Sequence, residues 1–552
     1  MAMVRRWFQS GSPWIWFTAS AVSVSMVLVF GLLVLIAVRG LGHFWPHEIL
    51  EFTYQDRQGG TPVLIGEIHD QETVAAPRLR DAGIAVAGDG LITRYLLKVG
   101  NRDVFGQDFR WVLEPKIRDR QAPPGVVVLE RREWGNFYGF LQNVKQGETI
   151  VAEGEQAWPS LQTLLDRASD LYAQIHHVEK SEIGSINYGL ERLRLKQRRL
   201  ELDSVTDPEA YAELDRQRKA LQAEYESLQG RLMELYRQIN RDSATLRVAD
   251  GREVVVPLAK VVHAYRPNAM SLPGKVGFYF AKIWEFLSDE PREANTEGGV
   301  FPAIFGTVSM VIIMSIMVVP FGVVAAVYLR EYARQGPLTR LIRIAVNNLA
   351  GVPSIVYGVF GLGFFVYFLG GNIDQLFFPE ALPAPTFGTP GLMWASLTLA
   401  LLTLPVVIVA TEEGLSRIPK SIREGSLALG ATKAETLWRT VLPMASPAIM
   451  TGLILAIARA AGEVAPLMLV GVVKLAPTLP IDGNYPFVHL DRKFMHLGFH
   501  IYDVGFQSPN VEAARPLVYA TALLLVVVIV VLNLAAIMIR NHLREKYRAL
   551  EG

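Results

Sequence analysis

The chain has 552 residues, which is too long for one ordinary compact domain. Charged residues make up only 19% of it, and the mean hydropathy is +0.25. A net charge of +1 argues against a general affinity for nucleic acid, and the absence of cysteine excludes disulfides and thiolate metal sites. Because charge is dense over 160–245 and sparse towards both ends, the composition indicates a membrane protein with a soluble insert.

Six apolar stretches are near or above the roughly 20 residues needed to cross a bilayer. The first is longer than the roughly 7–15 apolar residues of a secretory signal, so we expect an uncleaved anchor. The predicted spans run from about Trp14 to Val38, Phe301 to Leu329, Leu349 to Leu369, Leu392 to Ala410, Met444 to Val473 and Leu517 to Ile539.

Lysine and arginine cluster in alternate connections, which predicts that those connections face the cytoplasm. The loop 370–390 has neither residue, so we place it outside together with the long segment 40–299. This predicts a multi-pass protein of the bacterial inner membrane, with both termini cytoplasmic and a periplasmic insert. The basic residues concerned are Arg5, Arg6, Arg330, Arg334, Arg340, Arg343, Arg417, Lys420, Arg423, Lys433, Arg439, Arg540, Arg544, Lys546 and Arg548.

The insert 40–299 divides by pattern. Short apolar runs and turn residues predict β-rich parts over 40–157 and 243–262. Between them, apolar residues from Tyr211 to Ile239 recur at alternating steps of three and four, and with the preceding arm they predict an antiparallel coiled-coil hairpin over 158–242. The hairpin either packs only on itself or serves as a docking arm for a periplasmic partner.

Between predicted spans four and five, Glu424, Gly430, Leu442 and Pro443 stand at a spacing that resembles the cytoplasmic coupling loop of ABC importer permeases. Gly425 and Ser426 replace two alanines of that pattern, and Thr440 replaces its isoleucine. The resemblance implies that the loop 411–443 contacts a separate ATPase through Glu424, Gly430, Ala431, Leu442 and Pro443.

The glycines at 425 and 430 also have the spacing of a phosphate-binding loop. Such a loop requires Lys followed by Ser or Thr after its second glycine, whereas Ala431-Thr432 follow here. We therefore expect no ATP hydrolysis in this chain and no cofactor of its own, with ATP and Mg in the partner ATPase.

Three further segments resemble phosphate ABC transporter permeases of the PstA type: 351–358, 411–413 and 458–467; the segment 101–106 is similar to longer members. The resemblance implies an all-α polytopic membrane protein with six transmembrane helices, like type I ABC importer permeases, with a core at 300–552, an anchor at 1–39 and a periplasmic α+β insert containing the coiled-coil hairpin. It also implies four kinds of partner: a second, PstC-type permease, a PstB-type ATPase dimer, a PstS-type phosphate-binding protein, and membrane lipid.

Arg459 and Glu463 are four residues apart in an otherwise apolar predicted span, where ionisable residues usually face the interior or a water-filled path. Arg459 can bind phosphate oxygens through a fork of donors, and Glu463 can neutralise it. Alternatively, the pair only ties helices together. Pro353, next to Ser354, either unwinds the third span to free backbone N–H groups for an anion or only kinks it.

Two other functions remain open from the sequence. A sulfate or molybdate permease has a similar coupling loop, and a shared arginine attracts either dianion. A periplasmic sensor or receptor scaffold also combines an anchor, an outer domain and a coiled coil, but its cytoplasmic signalling domain has no counterpart here. Neither a catalytic nor a metal site is expected.

Overall fold

The computed structural model describes residues 10, 12–55, 60–84, 86, 88–508 and 511–547. Arg5, Arg6 and Arg548, used above to predict orientation, lie outside the described residues. Within these described residues, six helices are long and apolar enough to span a membrane, in agreement with the predicted number. We call them spans one to six: Trp14–Gly42, Phe301–Tyr332, Ser354–Phe377, Leu392–Arg417, Lys433–Ala461 and Ala514–Lys546.

The helices and strands are numbered here in chain order. The helices are α1 Ser12–Gly42, α2 Ala76–Asp81, α3 Arg102–Phe105, α4 Ala157–His177, α5 Gly184–Leu202, α6 Pro208–Ile239, α7 Leu272–Ser288, α8 Phe301–Val327, α9 Pro337–Leu349, α10 Ser354–Phe360, α11 Gly371–Phe377, α12 Leu392–Arg417, α13 Lys420–Ala428, α14 Lys433–Thr436, α15 Leu442–Ala461, α16 Leu467–Val470, α17 Leu497–Tyr502 and α18 Val511–Tyr547. The strands are β1 Leu50–Tyr54, β2 Val63–Ala75, β3 Leu91–Lys98, β4 Phe109–Leu113, β5 Ile117–Gln121, β6 Val126–Arg131, β7 Phe137–Gln146, β8 Thr149–Glu153, β9 Asp242–Arg247, β10 Glu253–Pro257, β11 Val261–Tyr265, β12 Pro291–Arg292 and β13 Glu297–Gly298.

Among the described residues, the β part of the insert has two large antiparallel sheets, and the short strands β12 and β13 form a third, two-stranded one. One has the strand order β4-β3-β2-β1-β5; the other has the order β10-β9-β7-β6-β11, with β8 paired to β7. β6 lies within the predicted β-rich part 40–157, and β9 and β10, within 243–262, form a hairpin about Asp250-Gly251 with Leu246 opposite Val254. β6 is a continuous apolar run whose two faces are both buried, because it lies inside the sheet and packs against a core on each side.

The helical hairpin consists of the continuous arm α4–α5 and the returning helix α6. Its antiparallel pairing follows from side-chain contacts at three levels: Arg218 with Gln197, Arg231 with Glu182, and Tyr236 with Glu179. Near the sheet, Leu161 and Ile239 are buried in one core with Leu129 of β6. With 32 residues α6 is about 48 Å long at 1.5 Å per residue, as the apolar seam predicted.

The side of the hairpin formed by α5 rests on two loops of the permease core. Tyr188 donates a hydrogen bond to the backbone carbonyl of Tyr485 and packs edge-on against His489. Nearer the tip, Arg199 lies 3.8 Å from the carboxylate of Glu380. The hairpin therefore touches both the connection between spans three and four and the connection between spans five and six, which the sequence did not indicate.

A short turn joins the insert to span two. Glu293, Ala294 and Asn295 have φ values of +46°, +55° and +75°, a left-handed conformation that is unfavourable for residues with a Cβ. Glu293 pairs with Arg102 and accepts from the N–H of Gly135, both in the β part. We call residues 293–295 the joint.

On its other side the joint binds the core. The Asn295 side chain, 1% exposed, donates to the carbonyl of Lys474 at 2.9 Å and to the Asp503 carboxylate at 3.2 Å. Lys474 also forms an ion pair with Asp503. Contacts from the β part of the insert and from the permease core thus hold residues 293–295 in a backbone conformation that is unfavourable on its own.

Span four, α12, is the centre of the transmembrane core and packs against α8 and α15. Small residues permit close approach: a Cβ on Gly452 would lie 2.7 Å from that of Ala410, and one on Gly414 would lie 2.5 Å from that of Ala448. The buried hydroxyls of Thr398, Thr403 and Thr411 donate to carbonyls one turn earlier in the same helix. Each of these three hydroxyls therefore has a hydrogen-bond partner inside the apolar core.

We expect the joint to depend on both the amide and the backbone conformation of Asn295. Asn295→Ala removes the buried hydrogen bonds and worsens the left-handed strain, so the joint should lose about 2–4 kcal/mol. Asn295→Gly also loses the hydrogen bonds but adopts φ +75° freely, so it should be about 1 kcal/mol less damaging.

Hydrogen exchange of the peptide 291–298 in the full-length protein measures this difference. Asn240→Ala, at an exposed amide bonded to its own helix, is the control. If Asn295→Ala and Asn295→Gly increased the exchange of this peptide equally, backbone strain at residue 295 would contribute nothing to the stability of the joint.

Candidate translocation path and coupling surface

Span five ends earlier than predicted. The helix α15 stops at Ala461, so the expected helical segment up to Val473 is wrong for residues 462–466 and 471–473, which lie outside both α15 and the short helix that follows. Gly462 has low helix propensity, and Pro466 disfavours a helical conformation in the residue before it. The chain resumes as the short helix α16.

This break changes the predicted relation between Arg459 and Glu463. Arg459 lies in the last turn of α15, but Glu463 lies beyond the helix end, so the two do not share a helical face as predicted. Their side chains still meet, with Arg459 Nε 3.8 Å from Glu463 Oε1 and both about three-quarters buried. The Nε–H of Arg459 is buried and donates to no protein acceptor, so the guanidinium retains unused donor capacity.

Span three also begins later than predicted. Leu349 ends α9, and the transmembrane helix begins at Ser354 after Pro353, which has an extended conformation. Pro353 is exposed, and Ser354 is half-buried in the first turn, whose backbone N–H groups have no partner within the helix. The predicted interruption at Pro353 is therefore present and separates two helices.

The two interruptions lie side by side. A Cβ on Gly358, one turn after Ser354, would stand 2.6 Å from the Cα of Pro466, so only glycine allows this approach. The buried hydroxyl of Tyr357 donates to the carbonyl of Leu349 at 2.6 Å, which closes the turn around Pro353. The structure thus brings the start of span three against the broken end of span five, the region that carries Arg459.

The loop between spans four and five forms a compact knob, which we define as residues 420–441. Helix α13 ends at Ala428, and Gly430, two residues later, has a φ of +88°, which is left-handed and accessible mainly to glycine. Thr432 and Glu435 then form a reciprocal capping box at the start of α14. The helix–turn–helix shape predicted about Gly430 is present.

Polar contacts fix the knob to the permease core. Ser426 and Thr436 hydroxyls lie 2.9 Å apart and join its two helices. Arg423 donates to the carbonyl of Leu415 at 2.7 Å and to Glu331 at 2.9 Å. Because Glu331 lies at the end of span two, the knob is tied to spans two and four and should move with them as one body.

Two large apolar side chains of the knob are strongly exposed. Leu429 is 91% exposed and Trp438 is 76% exposed, and the predicted contact residue Glu424 is also exposed. Of the other predicted residues, Gly430 is exposed, Ala431 is half-buried, and Leu442 and Pro443 are half-buried at the start of α15. Large apolar side chains exposed in this way are typical of surfaces that bind a protein partner. Leu429 and Trp438 were not among the predicted contact residues, although both are apolar residues in a charged loop.

One group of metal-ligating side chains occurs among the described residues: Glu130, His263 and Glu285. Lys282 donates to both carboxylates, and Arg292 donates to Glu285 at 3.0 Å. These cations already neutralise the acids, so the group reads as an ion-pair network rather than a metal site.

Residues 318–549 match the profile of the family described as binding-protein-dependent transport system inner membrane component. Phosphate transport system permease protein PstA 1 of Mycobacterium tuberculosis (strain ATCC 25618 / H37Rv) is 38% identical over 244 residues, covering 44% of this chain and 70% of that protein. The probable phosphate transport system permease protein PstA of Methanocaldococcus jannaschii is 29% identical over 221 residues, 39% and 67% respectively. Phosphate transport system permease protein PstC of Mesorhizobium japonicum is 33% identical over 202 residues, 33% and 61% respectively.

The chain belongs to the PstA-type permeases of this family. It is therefore a multi-pass subunit of a membrane transporter and not an enzyme, and ATP hydrolysis takes place in a separate subunit. The matched region contains the knob and both helix interruptions, whereas the insert of this PstA-type permease lies outside it.

Three histidines of this PstA-type permease, in the connection between spans five and six, are buried. His489, His496 and His500 are 5%, 1% and 2% exposed. His489 meets Asp482 at 2.9 Å, and His496 accepts from the N–H of Gly498. Burial lowers the pKa of His496 and that of His500 from 6.5 to about 4 in each case.

These pKa values predict an acid-sensitive connection. The folded pKa is lower than the unfolded one, so the unfolded segment binds more protons between pH 6.5 and 4, and stability falls as the pH falls through that window. From pH 7 to pH 5 we expect a loss of about 1–2 kcal/mol for each histidine. Hydrogen exchange of 494–507 checks this expectation, and His500→Gln should reduce the pH dependence. His177→Gln, at an exposed histidine, should leave it unchanged.

Proposed function

We propose that phosphate crosses the membrane beside Arg459 of this chain, within an ATP-driven importer. The observation that supports this most directly is the buried, unused Nε–H of Arg459 at the place where two interrupted helices meet. Arginine presents a planar fork of donors that fits the oxygens of phosphate. Relatives named for phosphate transport, one of them 38% identical over the core, favour phosphate as the cargo.

Glu463 suits a path that is sometimes empty. At 3.8 Å its carboxylate offsets the charge of Arg459 without the close contact of a strong ion pair. An arriving anion can therefore take its place beside the guanidinium. The N–H groups of Ser354 and Ile355, which have no acceptor within the helix that starts after Pro353, would supply further donors.

Sulfate or molybdate is the second candidate cargo, since a guanidinium binds any tetrahedral oxyanion. The named relatives support phosphate over both. A sensor or receptor scaffold is less well supported, because the matched region is a transporter component.

We propose that the complete importer contains a second permease of the PstC type, a PstB-type ATPase dimer that binds ATP and Mg, and a PstS-type phosphate-binding protein. The similarity of this chain to PstC proteins fits a pair of related permeases. The knob would contact the ATPase through Leu429, Trp438 and Glu424. Because Arg423 binds both Leu415 and Glu331, movement of the knob would rotate spans two and four together.

In this arrangement both termini face the cytoplasm and the insert 40–299 is periplasmic. The basic knob then lies inside, in keeping with the distribution of lysine and arginine. The hairpin 158–242 would act as a coiled coil across the outer loops, where a binding protein delivers phosphate. Residues 1–39 form the anchor, and 300–552 form the permease core with its coupling loop 411–443.

Removal of the guanidinium should impair transport without impairing assembly. Arg459→Gln should lower ATP-dependent uptake of radiolabelled phosphate by reconstituted vesicles at least tenfold, because a charge-assisted hydrogen bond contributes about 1.5–3 kcal/mol. Arg459→Lys keeps the charge but loses the fork and should be intermediate. Arg340→Gln, at an exposed position on α9, is the control.

The same vesicles distinguish the cargoes. Excess unlabelled sulfate or molybdate should leave phosphate uptake unchanged, and competition by either would reassign the anion. Full uptake by an assembled Arg459→Gln complex would make the residue structural.

The apolar tip of the knob should hold the ATPase. The double variant Leu429→Ala, Trp438→Ala should reach the membrane normally but lose copurification with the ATPase by tenfold or more, since central aromatic contacts contribute about 2 kcal/mol or more. Met233→Ala, at a 60% exposed position on the hairpin, should copurify normally. Undiminished copurification of the double variant would place the ATPase contact elsewhere.

A further inference from the structure

Helix α7 carries a continuous apolar stripe that the protein leaves uncovered. Leu272, Val276, Phe280 and Trp284 recur every four residues and are 68%, 40%, 64% and 70% exposed. Between these positions the exposed surface is completed by uncharged residues: Pro273, Gly277, Ala281 and Ser288. In a water-exposed domain, a four-turn stripe of this kind would be a strong aggregation site.

The opposite side of α7 is fixed firmly to the rest of the molecule. Lys282 forms ion pairs with Glu130 of β6 and with Glu285, and it is 15% exposed. Phe286 is buried in a core with Val300 and Leu517 of the transmembrane part. The helix therefore cannot rotate to bury its apolar stripe.

The position of α7 in the fold indicates what covers the stripe. Trp45 and Phe44, just after the end of span one, contact Tyr279 and Phe286 at ring-centroid distances of 5.9 and 5.1 Å. Span two begins at Phe301, shortly after α7 ends. The helix thus lies level with the ends of spans one, two and six.

Span one lies at the outer edge of the transmembrane part, on the same side as α7. It packs against span six, where a Cβ on Gly40 would lie 2.9 Å from the backbone of Ala520. No residue in its apolar window is buried within the chain. Neighbours of span one are therefore placed where lipid surrounds the protein.

We propose that α7 lies in the plane of the membrane, with the stripe of Leu272, Val276, Phe280 and Trp284 inserted among the lipids of the leaflet from which the insert projects. An amphipathic helix with one apolar face is stable at that depth, and tryptophan is favoured where acyl chains meet headgroups. The ion pairs of Lys282 then hold the β part at a fixed height above the bilayer. This role is separate from the proposed cargo and does not depend on it.

The absence of cysteine from the chain makes the proposal directly testable. Full-length variants Phe280→Cys and Trp284→Cys are spin-labelled and reconstituted in vesicles of phosphatidylethanolamine and phosphatidylglycerol. Collision rates with oxygen and with a water-soluble nickel chelate then report depth. Leu28→Cys in span one, 67% exposed, is the lipid reference, and Met233→Cys on the hairpin is the water reference.

For labels at 280 and 284, the ratio of the oxygen collision rate to the nickel collision rate should be at least fivefold higher than for the label at 233. Val276→Cys provides a third position on the stripe, so failure of one variant to fold does not decide the result. Nickel accessibility equal to that at 233 would overturn the proposal. Shielding of the labels from both oxygen and nickel would also overturn it, because a protein surface would then cover the stripe. Phosphate uptake is not measured, so either result leaves the cargo assignment unaffected.

Discussion

The left-handed joint at 293–295 is the constraint on which the relation between insert and core depends. Three consecutive residues with a Cβ at positive φ cost about 1–2 kcal/mol each. That cost is met by contacts from both sides: Arg102 and Gly135 from the sheets, and Lys474 and Asp503 from the core. Because neither side alone fixes the turn, the insert and the last long connection of the permease hold each other in place.

The transmembrane core follows from a second requirement, that backbone polar groups in lipid find partners. Continuous helices meet it in spans two and four, and threonine hydroxyls bond within their own helix. Spans three and five depart from it near Pro353 and Gly462, and these departures lie together around Gly358. Irregular backbone at such depth is tolerated only where protein or water surrounds it. Arg459, whose buried Nε–H has no acceptor, lies in this region, and that combination is the basis of the proposed phosphate path.

Much of this organisation could be predicted from local pattern. Length and apolar content identified six spans, short apolar runs bounded by turn residues identified the β parts, and the seam of apolar residues identified the helical hairpin, since each pattern reflects burial of apolar side chains. The spacing from Glu424 to Pro443 identified the knob, because Gly430 and the capping residues specify its turn locally. The orientation of the termini and the roles of Arg459 and Glu463 stay predictions.

Features that depend on distant contacts could not be predicted in this way. Apolar residues continue past Ala461, so the pattern predicted a longer helix although Gly462 and Pro466 weaken it locally, and the packing of Pro466 against Gly358 becomes visible only in the fold. In the sequence, His496 and His500 are polar residues of a connection between spans, and only the fold shows that they are buried. The stripe on α7 resembles the buried face of a soluble helix in sequence, and its exposure becomes evident only when Lys282 is seen to face the sheet.

The contacts of the hairpin have a mechanical consequence. Its base near Leu161 is embedded in the sheet core, its middle rests on Tyr485 through Tyr188, and its tip lies beyond Leu202. At 1.5 Å per residue, the contact is about 40 Å from the base and the tip is about 60 Å from it. The hairpin is thus held at three heights, by the sheet at its base, by the loop at Tyr485 and, near its tip, by Glu380 through Arg199, so a displacement of either core loop is passed to the hairpin.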